Sequence, residues 1–132
     1  ACLVGSEMCI RDSLFADRQL RLMIENGNRQ VVGIVDLCSF DPLHNRAEVG
    51  IMVDKSCRRQ GIGRNALALL EEHCFRYLGI HQLFAYIAVE NLPSRRLFAA
   101  CGYKESAVLK EWAHTFGGGY TDVLVVQKLN LS

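Results

Sequence analysis

Val49-Gly50-Ile51-Met52-Val53, Asp54-Lys55-Ser56-Cys57 and Arg58-Arg59-Gln60-Gly61-Ile62-Gly63-Arg64 follow one another without interruption. The first block is rich in β-formers, the second is a polar loop, and the third is a glycine-containing turn crowded with positive charge. Behind it Ile62, Ala66, Leu69, Leu70, His73, Cys74 and Tyr77 recur at helical spacing, and Gly79 suits the end of that helix. The stretch therefore reads as strand, loop, glycine turn, helix. Glycines let a backbone approach a ligand closely. A helix start presents N–H groups without intrahelical partners and the positive end of the dipole, which suits a phosphate. Lys55, Arg58, Arg59 and Arg64 ring that point. A pyrophosphate ligand is the natural expectation, and a glycine-capped surface helix with solvated arginines is the alternative.

Upstream of this core, residues 20–25 read as a strand, Asn26-Gly27-Asn28 as a hairpin turn, and residues 31–38 as a second, mostly apolar strand. Asp41-Pro42 ends it, and residues 48–53 form the third strand. Downstream, residues 83–89 are β-formers, and Pro93 opens a short helix that Gly102 stops. Residues 103–112 and 120–129 form a last strand pair joined through Gly117-Gly118-Gly119. The order β-β-β-α-β-α-β-β predicts a mixed α/β fold with antiparallel hairpins at both ends.

Composition narrows the function classes. A chain of 132 residues fits one domain and buries roughly two thirds of its unfolded surface. Hydrophobic residues at 50% and charged residues at 22% are the balance of a folded globular protein. No apolar run reaches the ~18 residues needed to span a bilayer, so no membrane partner is expected. A net charge of +1 argues against binding nucleic acid through bulk charge. The six cysteines include no C-x-x-C pair and do not cluster with histidines. That pattern predicts no metal site and no disulfide framework, and fits the reducing cytoplasm.

Residues 1–13 read as foreign to the domain. They show neither strand alternation nor a clear helical stripe. Leu3 to Asp12 resemble the read-through translation of a transposase adapter used in DNA library preparation: CTC-GTG-GGC-TCG-GAG-ATG-TGT-ATA-AGA-GAC encodes them without a gap. The expectation is a metagenomic fragment, with residues 1–13 excluded from the fold and residues 14–132 forming one domain that lacks its first strand and first helices. The strand at residues 20–25 is then expected to expose an unpaired edge, which invites self-association into a homo-oligomer or aggregate.

Two nucleotide-binding patterns are rejected. A P-loop needs Gly-Lys-Ser/Thr, whereas Arg64-Asn65 follow Gly63. Gly61-x-Gly63-x-x-Ala66 matches a loose dinucleotide fingerprint, but a polar loop separates it from the strand and hairpins precede it. A different family fits. Arg58-x-x-Gly61-x-Gly63 after a strand resembles the acetyl-CoA motif of the GNAT N-acetyltransferases. Asn91-Leu92-Pro93-Ser94-Arg95-Arg96-Leu97-Phe98-Ala99-Ala100-Cys101-Gly102-Tyr103 resembles that family's N-x-x-[AS]-x-x-L-[YF]-x-x-x-G-[FY] signature. His44-Asn45-Arg46-Ala47-Glu48 and Gly119-Tyr120-Thr121-Asp122-Val123 resemble segments of its spermidine/diamine and ribosomal-protein acetyltransferases. The similarity covers residues 20–129.

The resemblance implies a GNAT-like acyl-CoA-binding fold with a central mixed sheet, acetyl-CoA as acetyl donor, and an amine acceptor on a small, polyamine-like molecule or a protein. It implies that the backbone of Ile51, Met52 and Val53 lies along the pantetheine arm and offers an N–H to the thioester carbonyl. It places the pyrophosphate on Arg58, Arg59, Gln60, Gly61, Ile62, Gly63 and Arg64. Asn91 would bond the pantetheine arm, with Ser94 and Phe98 near the cofactor. An amine with pKa ~10 must lose a proton before attack, and Glu48 is the candidate base, unless it pairs with Arg46 or Lys55. His44 is a second, weaker candidate. Many relatives have Tyr where this chain has Phe98, and that Tyr protonates the departing thiolate. Phe98 has no proton to give, which keeps open a non-enzymatic acyl-CoA-binding module. Trp112, His114 and Tyr120 flank the hairpin that borders the acceptor groove in this family, and core packing is the alternative for Trp112.

Overall fold

Along β3 (Val31–Asp41), Val35, Leu37 and Phe40 are buried while Asp36 and Cys38 are only half-covered. That alternation lets one side of the strand face a core, and it repeats in its neighbours β2 (Leu20–Glu25) and β4 (Arg46–Val53). The computed structural model describes residues 2–4, 7–58 and 60–131. The chain divides into two units, residues 1–83 with 129–132, and residues 84–128.

In the first unit β1 (Cys2–Val4), β2, β3 and β4 form consecutive antiparallel pairs. The β2–β3 hairpin turns where the sequence predicts. The Asn26 side chain accepts from the N–H groups of Asn28 and Gln30 at 2.9 and 3.0 Å, so the turn closes on its own side chain. Helix α2 (Ile62–Glu72) buries Ala66, Leu67 and Leu70 and lies against β1 and β4. The single helix expected to reach Leu78 instead widens into a π-type turn over His73–Tyr77, with Leu78 N–H on the His73 carbonyl, before Gly79 reverses the chain at φ +66°.

The amino-terminal segment departs from expectation. Residues 2–4 pair with β2 in the register Cys2↔Glu25, and α1 (Glu7–Asp17) is helical. Residues 2–4 and 7–13 therefore carry secondary structure that their sequence pattern does not signal, and β2 pairs on both sides rather than exposing an edge. A three-residue strand is too short for alternation to be read. Helix α1 has almost no apolar stripe; it is anchored near its end by buried Leu14 and by Phe15, whose ring stands edge-on to Phe40 at 5.2 Å.

In the second unit β7 (Tyr120–Leu129) lies between β5 (Gln82–Ala88) and β6 (Lys104–His114) and is antiparallel to β6. Helix α3 (Leu92–Ala100) precedes β6. The β6–β7 ladder bulges between Leu109 and Ala113, where Glu111 adopts φ +49°. Asp122 holds that bulge, accepting from Glu111 N–H at 2.8 Å and from Lys110 Nζ at 3.2 Å. The backbone bond first, and Lys110 after it, keep its carboxyl below the ordinary aspartate range. The predicted elements are all present, within two or three residues at their ends, and α1 and β1 are present in addition, in a mixed α/β fold.

Among the described glycines, Gly33 is one whose surroundings leave no room for a Cβ. It pairs with Val53, and a Cβ there would lie 2.5 Å from the Met52 carbonyl oxygen and 3.2 Å from Val53 Cα. Gly33→Ala should force β3 and β4 apart and destabilise the chain by about 1–3 kcal/mol. Chemical denaturation measures this, and a loss below about 0.5 kcal/mol would show that the strands yield freely.

Candidate functional site

The polar loop after β4 is held back onto the strand. Asp54 N–H donates to the Val32 carbonyl at 2.8 Å, and a short 3-10 turn follows over Lys55–Cys57. Arg58 Nε then donates to the Val53 carbonyl at 3.2 Å, bringing the first arginine of the turn to the end of β4. Gly61 caps α2 with φ +76°, a left-handed conformation that glycine adopts without strain. Among the described residues beyond its chain neighbours and its own helix backbone, no atom lies within 4 Å of where its Cβ would be, which leaves the approach to the helix start open. Asn65 N–H closes the first helical turn on the Gly61 carbonyl at 3.0 Å. The preceding N–H groups of Ile62, Gly63 and Arg64 lie in the first helical turn, where no upstream carbonyl is in helical register.

The structure thus brings together Val53, Arg58, Gly61, Ile62, Gly63 and Arg64. Arg58, Gln60 and Arg64 are exposed, and Ile62 and Gly63 are half-covered. Arg59 lies outside the described residues. On β4 itself Ile51 and Val53 are half-buried, whereas Met52 is 69% exposed on the opposite face. Glu48 is half-buried on the same strand, directly opposite Cys38 of β3. Arg46 pairs with Asp41 at 3.8 Å instead of with Glu48. Asp41 is occupied in turn by the N–H groups of His44 and Leu43 at 3.0 and 2.9 Å, which hold its carboxyl below the usual range. His44 is exposed in that turn.

In the second unit Asn91, Ser94 and Phe98 belong to α3 and its cap. The Asn91 Oδ1 accepts from Ser94 N–H at 3.2 Å, so this oxygen serves the helix, and a ligand would meet the Nδ2 amide. Arg95 donates from Nη1 to the Val89 carbonyl at 3.0 Å and pairs with Glu105 at 3.2 Å, tying the helix to the strands on either side of it. The Phe98 side chain is buried, with its ring edge-on to Tyr103 at 4.9 Å. Its role inside the unit is packing. Trp112 and Tyr120 are 62% and 63% exposed, so Trp112 is not a core residue, and His114 stands edge-on to Tyr120 at 5.1 Å.

Sequence reading missed a polar cluster on the β2–β3 face. Arg21 grips Asp36 through two hydrogen bonds of 2.8 and 3.0 Å. Both residues, with Ser13, Asp17, Gln19 and Cys38, line a cavity of about 440 Å³. The signal was the alternation itself, which puts Arg21, Asp36 and Cys38 on one side of adjacent strands. Among the described residues no group of three or more His, Cys, Asp or Glu could hold a metal ion, and no helix is long and apolar enough to cross a membrane.

Strands leading to a glycine-capped helix start, followed by a capped short helix and a final hairpin, define a GNAT-type α/β architecture. A profile for the family described as Acetyltransferase (GNAT) domain matches residues 6–104. The spermidine N(1)-acetyltransferase of Vibrio cholerae is 27% identical over 103 residues, 78% of this chain and 59% of that protein. The putative phosphinothricin acetyltransferase YwnH of Bacillus subtilis is 34% identical over 102 residues, 73% of this chain and 59% of that protein. A solved dodecameric spermidine N-acetyltransferase from Vibrio cholerae superposes with a TM-score of 0.82 at 20% identity, covering 98% of this chain and 82% of that one. At that identity the likeness establishes the fold alone. The chain belongs to the GNAT acetyltransferase family. It spans 59% of the length of these two curated relatives.

Asn91→Ala removes the α3 cap and should lower stability by about 1 kcal/mol, with Asn91→Asp retaining most of it. Equal melting temperatures for parent and Ala variant would show that the cap bond is not formed in solution.

Proposed function

We propose that this chain is the acetyl-CoA-binding portion of an N-acetyltransferase acting on a primary amine. The observation that carries the reading is the open, glycine-capped start of α2, with Arg58 fastened to the end of β4 beside it. These residues fit a pyrophosphate: backbone donors at a helix start, no Cβ in the way, and exposed guanidinium groups. Arg58, Arg59, Gln60, Gly61, Ile62, Gly63 and Arg64 would hold it. The backbone of Ile51, Met52 and Val53 would line the pantetheine arm, and the Asn91 amide would donate to it, with Ser94 at the same helix start. Acetyl-CoA supplies the activated acetyl thioester when bound.

Glu48 would accept the proton of the attacking amine. Half-burial beside a strand bulge suits a carboxylate that must stay charged yet reach a ligand. An N–H of Ile51, Met52 or Val53 would stabilise the oxyanion as it grows. Phe98 cannot act as an acid, so the thiolate would leave unaided, which a thiol pKa near ~8.5 makes tolerable. Phe98 is also the one observation that favours the second reading, a non-enzymatic acyl-CoA-binding module. The relatives' names support a polyamine-like acceptor over a protein. The relative described as dodecameric supports self-association. The free thiols of Cys38, Cys57, Cys74 and Cys101 support a reducing compartment such as the cytoplasm.

Gly61→Asp places a carboxylate at the pyrophosphate and should weaken acetyl-CoA binding at least about tenfold. Gly61→Asn tolerates the left-handed backbone without the charge and should bind much closer to the parent. Calorimetry that finds the two variants equal would move the pyrophosphate elsewhere.

Glu48→Gln should lower kcat with spermidine by about 10²-fold, leave the acetyl-CoA Kd unchanged, and recover towards pH 10, where the amine deprotonates by itself. Thiol release that is absent in the parent with every amine tried would favour the binding-module reading.

A further inference from the structure

Strand β6 is the last in the order β5–β7–β6. It pairs with β7 on one side, and among the described residues no strand lies on its other side. Of its 11 residues only Leu109 and Ala113 are half-covered; the others are exposed, and Val108 near the middle keeps 49% of its surface open. Its neighbour β7 buries Val123, Leu124 and Val126. A strand with an open hydrogen-bonding edge and almost no buried side chain is a template for a further strand.

The sequence of β6 selects that strand. From Lys104 to Glu111 it reads Lys-Glu-Ser-Ala-Val-Leu-Lys-Glu. Two copies set antiparallel about a two-fold axis between Ala107 and Val108 oppose Lys104 to Glu111 and Glu105 to Lys110, and the symmetry makes each pair twice. Ala107 then faces Val108 at the centre and Ser106 faces Leu109, so a largely apolar middle is closed at both ends by opposite charges. A slip of one residue opposes Lys104 to Lys110 in one direction and Glu105 to Glu111 in the other. A slip of two residues leaves all four without a charged residue opposite. Parallel pairing in register sets every charge against its own copy. Charges and bulges ordinarily keep an edge strand from pairing, and β6 has register breaks at Glu105/Ala107 and Leu109/Ala113. Between the breaks Ala107, Val108 and Leu109 run unbroken along β7, and the charges on either side admit one register instead of excluding all of them. The inner charges already have partners within the unit, Glu105 with Arg95 at 3.2 Å and Lys110 with Asp122 at 3.2 Å. A second copy would extend these two contacts into a charge network across the axis.

We propose that β6 is an interface between two copies of this chain, joined edge to edge as antiparallel strands with Lys104 opposite Glu111 and Glu105 opposite Lys110. The proposal deepens the self-association reading given above and rests on no catalytic residue. Its test uses the outer pair, because the inner pair also serves Arg95 and Asp122. Lys104→Glu alone sets carboxylate against carboxylate at both ends of the interface, and Glu111→Lys alone sets ammonium against ammonium. Each should raise the dimer Kd from sedimentation equilibrium at least about tenfold. The double variant carrying Lys104→Glu and Glu111→Lys restores opposite charges and should dimerise as the parent does. Native mass spectrometry of an equimolar mixture of the two single variants should find the heterodimer, which also shows that both are folded. A parent dimer that neither single variant weakens overturns this surface and leaves self-association standing. Weakened single variants whose mixture forms no heterodimer, while both melt cooperatively near the parent's temperature, overturn the register. A parent that stays monomeric up to the highest concentration reached overturns both the surface and the self-association reading.

Discussion

The close pairing of β3 with β4 is the constraint on which the first unit depends. Gly33 has no side chain, and the Met52 carbonyl occupies the space a Cβ would need. That contact fixes the register from one end, with Gly33 against Val53, and the same ladder then puts Ile34 against Met52 and Cys38 against Glu48. A one-residue slip of β3 would turn Asp36 and Cys38 inward and send Val35 and Leu37 out of the core. Burial of those apolar side chains holds the register, and the register in turn sets both ends of the candidate site. Val53 carries Arg58 and the turn into α2, while Glu48 stands at the bulge.

The parts legible from sequence were those whose physics is local. A run of β-formers, a polar loop and a glycine followed by a 3.6-residue apolar repeat define β4, the turn and α2 before any packing is known. Gly61 could be singled out because a glycine at a helix start lets the backbone approach a ligand, and its left-handed φ of +76° emerged only with the structure. Pro93 could likewise be read as opening the short helix, whereas the capping of that helix by the Asn91 Oδ1 was not read. What escaped was non-local. The strand Cys2–Val4 is too short to carry a period, and α1 gains its place from Leu14 and from the contact of Phe15 with Phe40, twenty-five positions away. No sequence window contains both partners of such a contact.

The same division explains the residues around Glu48. Its sequence neighbours suggested Arg46 or Lys55 as ion-pair partners, but alternation along a strand turns i and i+2 to one face without making them touch. The turn at Asp41 draws Arg46 away by gathering the N–H groups of Leu43 and His44 on one carboxylate, which then attracts the arginine. Cross-strand pairing instead sets Cys38 opposite Glu48, a neighbour no sequence window could indicate.

Phe98 shows how packing and chemistry compete for one position. A phenol there would have to keep its hydroxyl hydrated or bonded, and burial of an unsatisfied hydroxyl costs about 1–3 kcal/mol. Phe removes that requirement and lets the ring close edge-on against Tyr103, so the end of α3 is secured by apolar contact. Helix α3 is short, and besides its Asn91 cap it is tethered by Arg95 to Val89 and Glu105. Phe98 therefore adds an apolar anchor to α3 where a phenol would need a polar partner. In the proposed complex the chemistry would then fall to the proposed proton acceptor, Glu48, and the proposed oxyanion donors, all on β4. The strand whose register Gly33 enforces would then carry most of the catalysis that remains.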